Sequence, residues 1–272
     1  MDRREIIVKS ILTRTGIEGF DYCINPYVGC EHSCAYCYAT FMKRFTGHME
    51  PWGSFVDVKV NGPEVLRRQV ARKKGGSLLV GTVTDPYQPA EREYRITRGC
   101  LEALRDSPFE VNILTRSPLC TRDKDLFKAL PSIKVGITVT TDSDEVRELF
   151  EPSAPPIESR VKALKVLHGE GIRTYAFIGP MLPLDPDRLA GLLYGVVDEV
   201  CIDKLNYSRK VIGLYRLQGL TRFLEEDYFV DTAQALKESF EKNGVAASVF
   251  FDCCGSRAGS AIDSPNESGG WA

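Results

Sequence analysis

Short apolar runs alternate with longer amphipathic stretches along most of the chain. SLLVGTV (77–83), FEVNILT (109–115), IKVGITVT (133–140), IRTYAFIG (172–179), EVCIDKL (199–205) and VAASVFF (245–251) are rich in Val, Ile, Phe or Thr. Each is bounded by Gly, Pro or charge, the pattern of a buried strand. INPYVGC (24–30) reads as a further strand end. Between these runs, 62–76 has Pro63 in a first turn followed by Val65, Leu66 and Val70, and 96–107 puts Leu101 and Leu104 on one face. The stretch 156–171 aligns Val161, Leu164, Val166 and Leu167 before two glycines, and 185–199 opens on Asp185 and Pro186. Strand followed by helix, repeated, predicts an α/β fold: a mostly parallel sheet, open or rolled into a barrel, with helices outside it.

Parallel sheets carry chemistry at the C-terminal ends of their strands. That rule selects the loops 81–89, 114–118, 138–143, 177–183 and 203–208, each polar or Pro-containing. Residues 255–272 are Gly/Ser-rich, and the domain expectation is an N-terminal extension (1–19), a core (20–252) and a flexible C-terminal tail (253–272).

Composition narrows the setting. The chain has 272 residues, 43% hydrophobic and 26% charged, with a net charge of -2, so no global field recruits nucleic acid or anionic membrane. Its densest basic run, RRQVARKK (67–74), reads as a solvated helix face. The charged start MDRREIIVKS lacks a secretion signal's apolar core, and no run approaches the roughly 18 apolar residues of a membrane span. The expected location is cytoplasmic. In a reducing compartment, nine cysteines, an odd number, point to metal or redox chemistry where they cluster and to small buried side chains where they scatter.

They cluster once. GCEHSCAYCYA (29–39) sets Cys30, Cys34 and Cys37 at C-x3-C-x2-C in a polar loop. Zinc would need a fourth ligand, from His32 or His48, and a Cys3His zinc-binding protein is the alternative reading. Iron–sulfur clusters are also thiolate-bound, and three thiolates on a cubane leave one iron open to a cofactor or substrate.

This spacing, with aromatic Tyr36 before the last cysteine, resembles the signature of the radical SAM superfamily, and NPYVGCEHSCAYCYA, TDPYQPAEREYRITR, ILTRS and EPSAPPIESR resemble its spore photoproduct lyase-like branch. The resemblance implies a partial (β/α)6 TIM-like barrel with the cysteine loop after its first strand. It implies a 4Fe–4S cluster on Cys30, Cys34 and Cys37, whose open iron is chelated by S-adenosylmethionine. Reductive cleavage would give a 5′-deoxyadenosyl radical that abstracts hydrogen from a nucleic acid, peptide or metabolite. An electron donor such as flavodoxin or ferredoxin is the implied partner.

A cofactor with an amino-acid end, a ribose and an adenine assigns the remaining candidates. Arg116 is expected to fork the carboxylate, Thr84 and Asp85 to meet the ammonium group, Thr138 and Thr140 to reach the ribose, and Tyr36 to touch adenine. Arg160 reads as the ion-pair partner of Glu158 or Glu151, and Lys204 and Asn206 as substrate-facing or loop-stabilising. Cys23, Cys253 and Cys254 are weighed for a second cluster, and Cys100, Cys120 and Cys201 as packing residues. The lyase's hydrogen-donor cysteine falls at Thr82, a far poorer donor, so the lyase's own substrate does not transfer with the resemblance.

Overall fold

A computed structural model describes residues 1–251. Cys253, Cys254 and the tail 253–272 lie outside the described residues. The main sheet contains β2 (Leu12–Arg14), β3 (Tyr22–Ile24), β6 (Gly76–Val80), β7 (Phe109–Thr115), β8 (Ile133–Thr138), β9 (Thr174–Ile178), β10 (Glu199–Ile202) and β11 (Ala246–Val249). Its order is β2-β3-β6-β7-β8-β9-β10-β11. Only the β2/β3 pairing is antiparallel; all the others are parallel. Among the described residues nothing pairs with the outer edges of β2 and β11, so the barrel they form is partial and not closed.

A second sheet joins β1 (Asp2–Ile6), β4 (Tyr27–Val28) and β5 (Phe55–Lys59) in the order β1-β5-β4. Residues 1–19, expected as an extension, thus supply a strand to each sheet. DRREI carries no apolar alternation, so β1 was not readable; ion pairs from Arg4 to Asp57 and Arg3 to Glu31 hold it.

Helices α1 (Gly62–Val70), α2 (Glu91–Tyr94), α3 (Ile96–Leu104), α4 (Lys124–Ala129), α5 (Asp144–Phe150), α6 (Ile157–Gly169), α7 (Pro186–Leu193), α8 (Ile212–Leu217) and α9 (Glu226–Lys242) complete the fold. The helices expected at 62–76 and 185–199 stop early. Backbone with positive φ follows each, at Gly75 and Gly76 and at Gly195, where only glycine turns without strain. α9 was missed, although Phe229, Ala233, Leu236 and Phe240 share a buried face at helical spacing.

Alternate strand residues divide the sheet's two faces. Phe109, Val111 and Ile113 of β7 join the core with Leu66 of α1, Leu101 of α3 and Leu164 of α6. The intervening Asn112 faces the concave side, where the Tyr175 hydroxyl of β9 donates to its Oδ1 at 2.8 Å. The phenol crosses Gly136 of β8, where any Cβ would run into the ring. No helix among the described residues is long and apolar enough to cross a membrane.

Candidate active site

Because β3 and β6 to β10 are parallel, their C-terminal ends open on one side, and the expected site loops gather there. β3 and β4 lead into Gly29, whose φ of +88° and close approach to the Phe55 carbonyl exclude any side chain. The cysteine loop that follows is held at several points. Thr84 Oγ1 and Gln88 Nε2 donate to the Gly29 carbonyl at 2.6 and 3.3 Å. The Glu31 N–H donates to Gln88 Oε1 at 2.9 Å, and the Ala35 N–H to the Phe150 carbonyl at the end of α5 at 2.8 Å. Lys210 Nζ reaches the Cys37 carbonyl at 2.6 Å.

The thiols of Cys30, Cys34 and Cys37 are free. Burial raises all three above their ordinary pKa, Cys34 to about 12 despite Arg116, and Cys30 well above it, with Asp85 adding to the push. Without metal they are protonated at neutral pH, so metal binding must displace protons from them.

Two buried carboxylates organise the ground beside this loop. Glu151, fully buried, accepts from the Tyr36 hydroxyl, from Thr140 Oγ1 at 3.0 Å, from Arg116 Nε at 3.4 Å and from Arg160 Nη2. Burial pushes its pKa up, but Arg160 and Arg116 outweigh burial and hold it at about 2. Arg160 also donates to the Pro155 and Thr138 carbonyls at 2.9 and 3.1 Å, so its ion-pair reading holds, with Glu151 as the partner. Arg116 gives Nη2 to the Tyr36 hydroxyl at 3.1 Å, and its guanidinium lies 5.9 Å from the centre of that ring. Its Nη1 has no hydrogen-bond partner among the described residues.

Asp85 is the second carboxylate. It accepts from the Arg116 and Tyr87 N–H groups at 2.7 and 2.8 Å and from Thr115 Oγ1, and lies 3.2 Å from His32 Nε2. Burial raises its pKa, but His32 and these donors bring it down to about 2. The structure therefore gathers Tyr36, Arg116 and Thr140 around Glu151, with Asp85 fixing the backbone of Arg116. Thr84 turns to Gly29 and Gln88, and buried Thr138 lies at the end of β8 opposite Phe177 of β9.

The outlying candidates settle into supporting contacts. Lys204 pairs with Glu226 at 2.6 Å, and Asn206 donates to both oxygens of Asp203. Asp203, at the β10 end, has its pKa raised by burial to about 6. Cys100 and Cys120 are buried and Cys201 half-buried. Cys23 sits beside Thr13 Oγ1 at 3.2 Å, and Thr82 Oγ1 accepts from Asn25 Nδ2 at 2.8 Å.

No Cys3His zinc site is assembled among the described residues. Ligands about 2.3 Å from a tetrahedral zinc stand about 4 Å apart. Among the described residues, the one group of three potential ligands converging within 4.8 Å is Asp2, His48 and Glu50, which contains no cysteine. His48 pairs with Asp57 and Glu50, and His32 with Asp85. The three thiols are not part of any such group among the described residues. The Trp52 indole N–H is buried without an acceptor among the described residues.

The family model described as the radical SAM superfamily matches residues 24–193. The chain belongs to the radical SAM superfamily. An enzyme of this class uses a 4Fe–4S cluster and S-adenosylmethionine. An uncharacterized protein of Methanocaldococcus jannaschii is 39% identical over 189 residues, 69% of this chain and 71% of its own. Another, of Mycobacterium tuberculosis, is 29% identical over 190 residues, 66% of this chain but 56% of its own. Spore photoproduct lyase complexed with dinucleoside spore photoproduct shares the fold at a TM-score of 0.65 and 13% identity, over 91% of this chain and 81% of that one. SuiB of Streptococcus suis bound to S-adenosylmethionine aligns at a TM-score of 0.51 and 12% identity, over 84% and 46%.

Reading the sequence missed Glu151 as the organising acid, naming it only as a possible partner of Arg160. Its signal was an acid between the apolar end of α5 and Pro152, in the quoted EPSAPPIESR. Gln88 left no comparable signal, because it meets Gly29 and Glu31 across a long sequence separation.

Proposed function

We propose that Cys30, Cys34 and Cys37 ligate the 4Fe–4S cluster of a radical SAM enzyme, and that S-adenosylmethionine lies between this loop and the Arg116–Glu151–Tyr36 network. When bound, the pair supplies a 5′-deoxyadenosyl radical by one-electron cleavage of the sulfonium. The observation that carries the reading is the cysteine loop itself, anchored by Thr84, Gln88, Phe150 and Lys210 at the open end of the sheet.

The chain's own residues bind, orient and exclude water. Arg116, fixed through its backbone N–H by Asp85 and at Nε by Glu151, presents Nη1 to the cofactor's carboxylate. Its side chain is pre-set, so little rotamer entropy is lost on binding. Thr138 and Thr140 offer hydroxyl oxygens to the ribose, and Tyr36 offers its backbone to adenine. Asp85 and Thr84, fully engaged by the chain, act by positioning Arg116 and the loop; the cofactor's ammonium group is left to the open iron. Tyr38, stacked on Phe41 and Tyr207 at 6.5 and 5.9 Å, walls the same opening against solvent.

A substrate entering that opening loses hydrogen to the radical. Thr82 cannot return it as a thiol would, so the lyase's route is not expected here, and the electron comes from a small redox protein such as flavodoxin or ferredoxin. The test is anaerobic reconstitution followed by dithionite and S-adenosylmethionine. Four iron and four sulfide per chain, with 5′-deoxyadenosine released, support the reading. Alanine at any of the three cysteines should abolish both; a colourless protein with stoichiometric zinc would sink it.

A further inference from the structure

Outside the cysteine loop, potential metal ligands converge at one place among the described residues. One ligand atom each of Asp2, His48 and Glu50 lie within 4.8 Å of one another. Two segments supply them: Asp2 opens β1 and donates its N–H to the Ser54 carbonyl at 2.9 Å, while His48 and Glu50 lie in the loop that leads into β5. No cysteine takes part, and none of the three residues has a place in the site described above.

The imidazole is the fixed member. Its side chain is only 5% exposed, and the ring stacks on Phe55 with centres 3.9 Å apart. Nε2 stands 2.9 Å from Asp57 Oδ1. A carboxylate accepts and does not donate, so Nε2 carries the proton of that bond. Arg4 Nη2 lies 3.2 Å from the same nitrogen but already has acceptors: its guanidinium donates to both Asp57 oxygens at 3.0 and 3.2 Å and to the Thr46 carbonyl at 3.4 Å. A carboxylate on one ring N–H is the contact that orients a metal-binding histidine through its other nitrogen.

That other nitrogen is Nδ1. In the neutral ring it holds a lone pair, and Glu50 Oε2 lies 3.0 Å away. Two acceptors this close require a cation between them. A proton answers one carboxylate; a metal ion answers both. Asp57 has Arg4, whereas neither Asp2 nor Glu50 has a Lys or Arg partner among the described residues. One imidazole with two carboxylates suits a hard-to-borderline divalent ion such as manganese. Ligand atoms about 2.1 Å from such an ion stand roughly 3–4 Å apart, and Asp2 and Glu50 are exposed, so their side chains can swing to close the remaining gap.

We propose that Asp2, His48 and Glu50 bind a divalent cation such as manganese(II), through His48 Nδ1 and one oxygen of each carboxylate, with water completing its shell. Asp57 is the positioning residue that holds the imidazole. The ion ties the first strand of the second sheet to the loop 48–50, beside Phe55, whose carbonyl Gly29 approaches at the start of the cysteine loop. Its role is to clamp that sheet. The inference does not depend on the cluster assignment above.

The test titrates the full chain, with and without its cluster, with manganese(II) chloride; manganese favours carboxylates over thiolates and so leaves the cysteines alone. Loss of the free-ion electron paramagnetic resonance signal counts the bound metal, and one manganese per chain is expected in both states. Grown with 15N-histidine, the chain should show one coupled ring nitrogen in hyperfine spectra. Of its three histidines, His32, His48 and His168, only His48→Ala should remove the coupling. Asp57→Asn should weaken binding about 10–100-fold. Glu50→Gln and Asp2→Asn alter exposed side chains that the fold does not need, and each should weaken binding at least about tenfold. No saturable binding, bound manganese without a histidine coupling, or an affinity unchanged in Glu50→Gln overturns the inference.

Discussion

Replacing Glu151 by Gln keeps the volume and one acceptor but removes the charge that two guanidiniums share. Arg160 and Glu151 are both fully buried, and Arg116 is half-buried beside them. The Glu151 carboxyl sits at about 2 against an ordinary 4.5. That difference corresponds to about 3 kcal/mol of folding stability in the ionised form. A carboxylate whose pKa is lowered on folding stabilises fully above the unfolded value and loses that contribution as pH falls through the folded one. The wild-type advantage should therefore be complete near neutral pH and fade between pH 4.5 and about 2. Urea unfolding of the metal-free, reduced chain measures this without interference from the cluster. Near pH 7, Glu151→Gln should lower stability by about 3 kcal/mol; Glu151→Ala should cost about 3–5, because it leaves two buried or half-buried guanidiniums without their counter-charge. The gap between wild type and Gln should close on acidification. A Gln variant within about 0.5 kcal/mol of wild type at neutral pH, or a gap unchanged by acid, refutes the reasoning.

Asp203 should behave in the opposite sense. Its raised pKa, about 6 against 3.8, means that stability is present below the unfolded value and lost as pH rises through the folded one. Asp203→Asn should then be the more stable protein above about pH 6, by up to about 3 kcal/mol, in the same urea assay. Gly29→Ala requires both a positive φ and a Cβ against the Phe55 carbonyl, so iron content after reconstitution should collapse while Gly16→Ala, in open space, leaves it intact. Thr84→Val removes the donor to the Gly29 carbonyl and should cost about 1–2 kcal/mol in urea, with slower cluster uptake. Metal binding to raised-pKa thiols displaces their protons, so cluster loading followed in weak buffer should acidify the solution, and Cys34→Ala, which takes up no cluster, should show no such release.

The parallel sheet was legible because its strands carry Val, Ile, Leu or Phe on a buried face between turn residues and so write themselves as short apolar runs; the strand expected at 109–115 matches β7 residue for residue. The cysteine loop was legible because its ligands lie close in sequence. What escaped has a common cause. β1 is a charged, mostly exposed strand held by its backbone pairing with β5 and by the Arg4–Asp57 ion pair, which leave no hydrophobic period. Glu151 meets Tyr36 and Arg116 only after folding has brought positions 36, 116 and 151 together. Arg116 and Asp85 were rightly singled out as strand-end residues, but their orientation depends on each other. An aspartate accepting from the Arg116 backbone is a different object from one waiting for a ligand, and only coordinates distinguish them.

The central claim is that three cysteines hold a cluster that turns S-adenosylmethionine into a radical source. Electron paramagnetic resonance of the dithionite-reduced protein, before and after addition of S-adenosylmethionine, tests it most directly. A reduced 4Fe–4S signal whose shape changes on adding the cofactor, with 5′-deoxyadenosine formed in the same tube, is the expected result. An intact cluster signal indifferent to S-adenosylmethionine, with no 5′-deoxyadenosine formed, would contradict it.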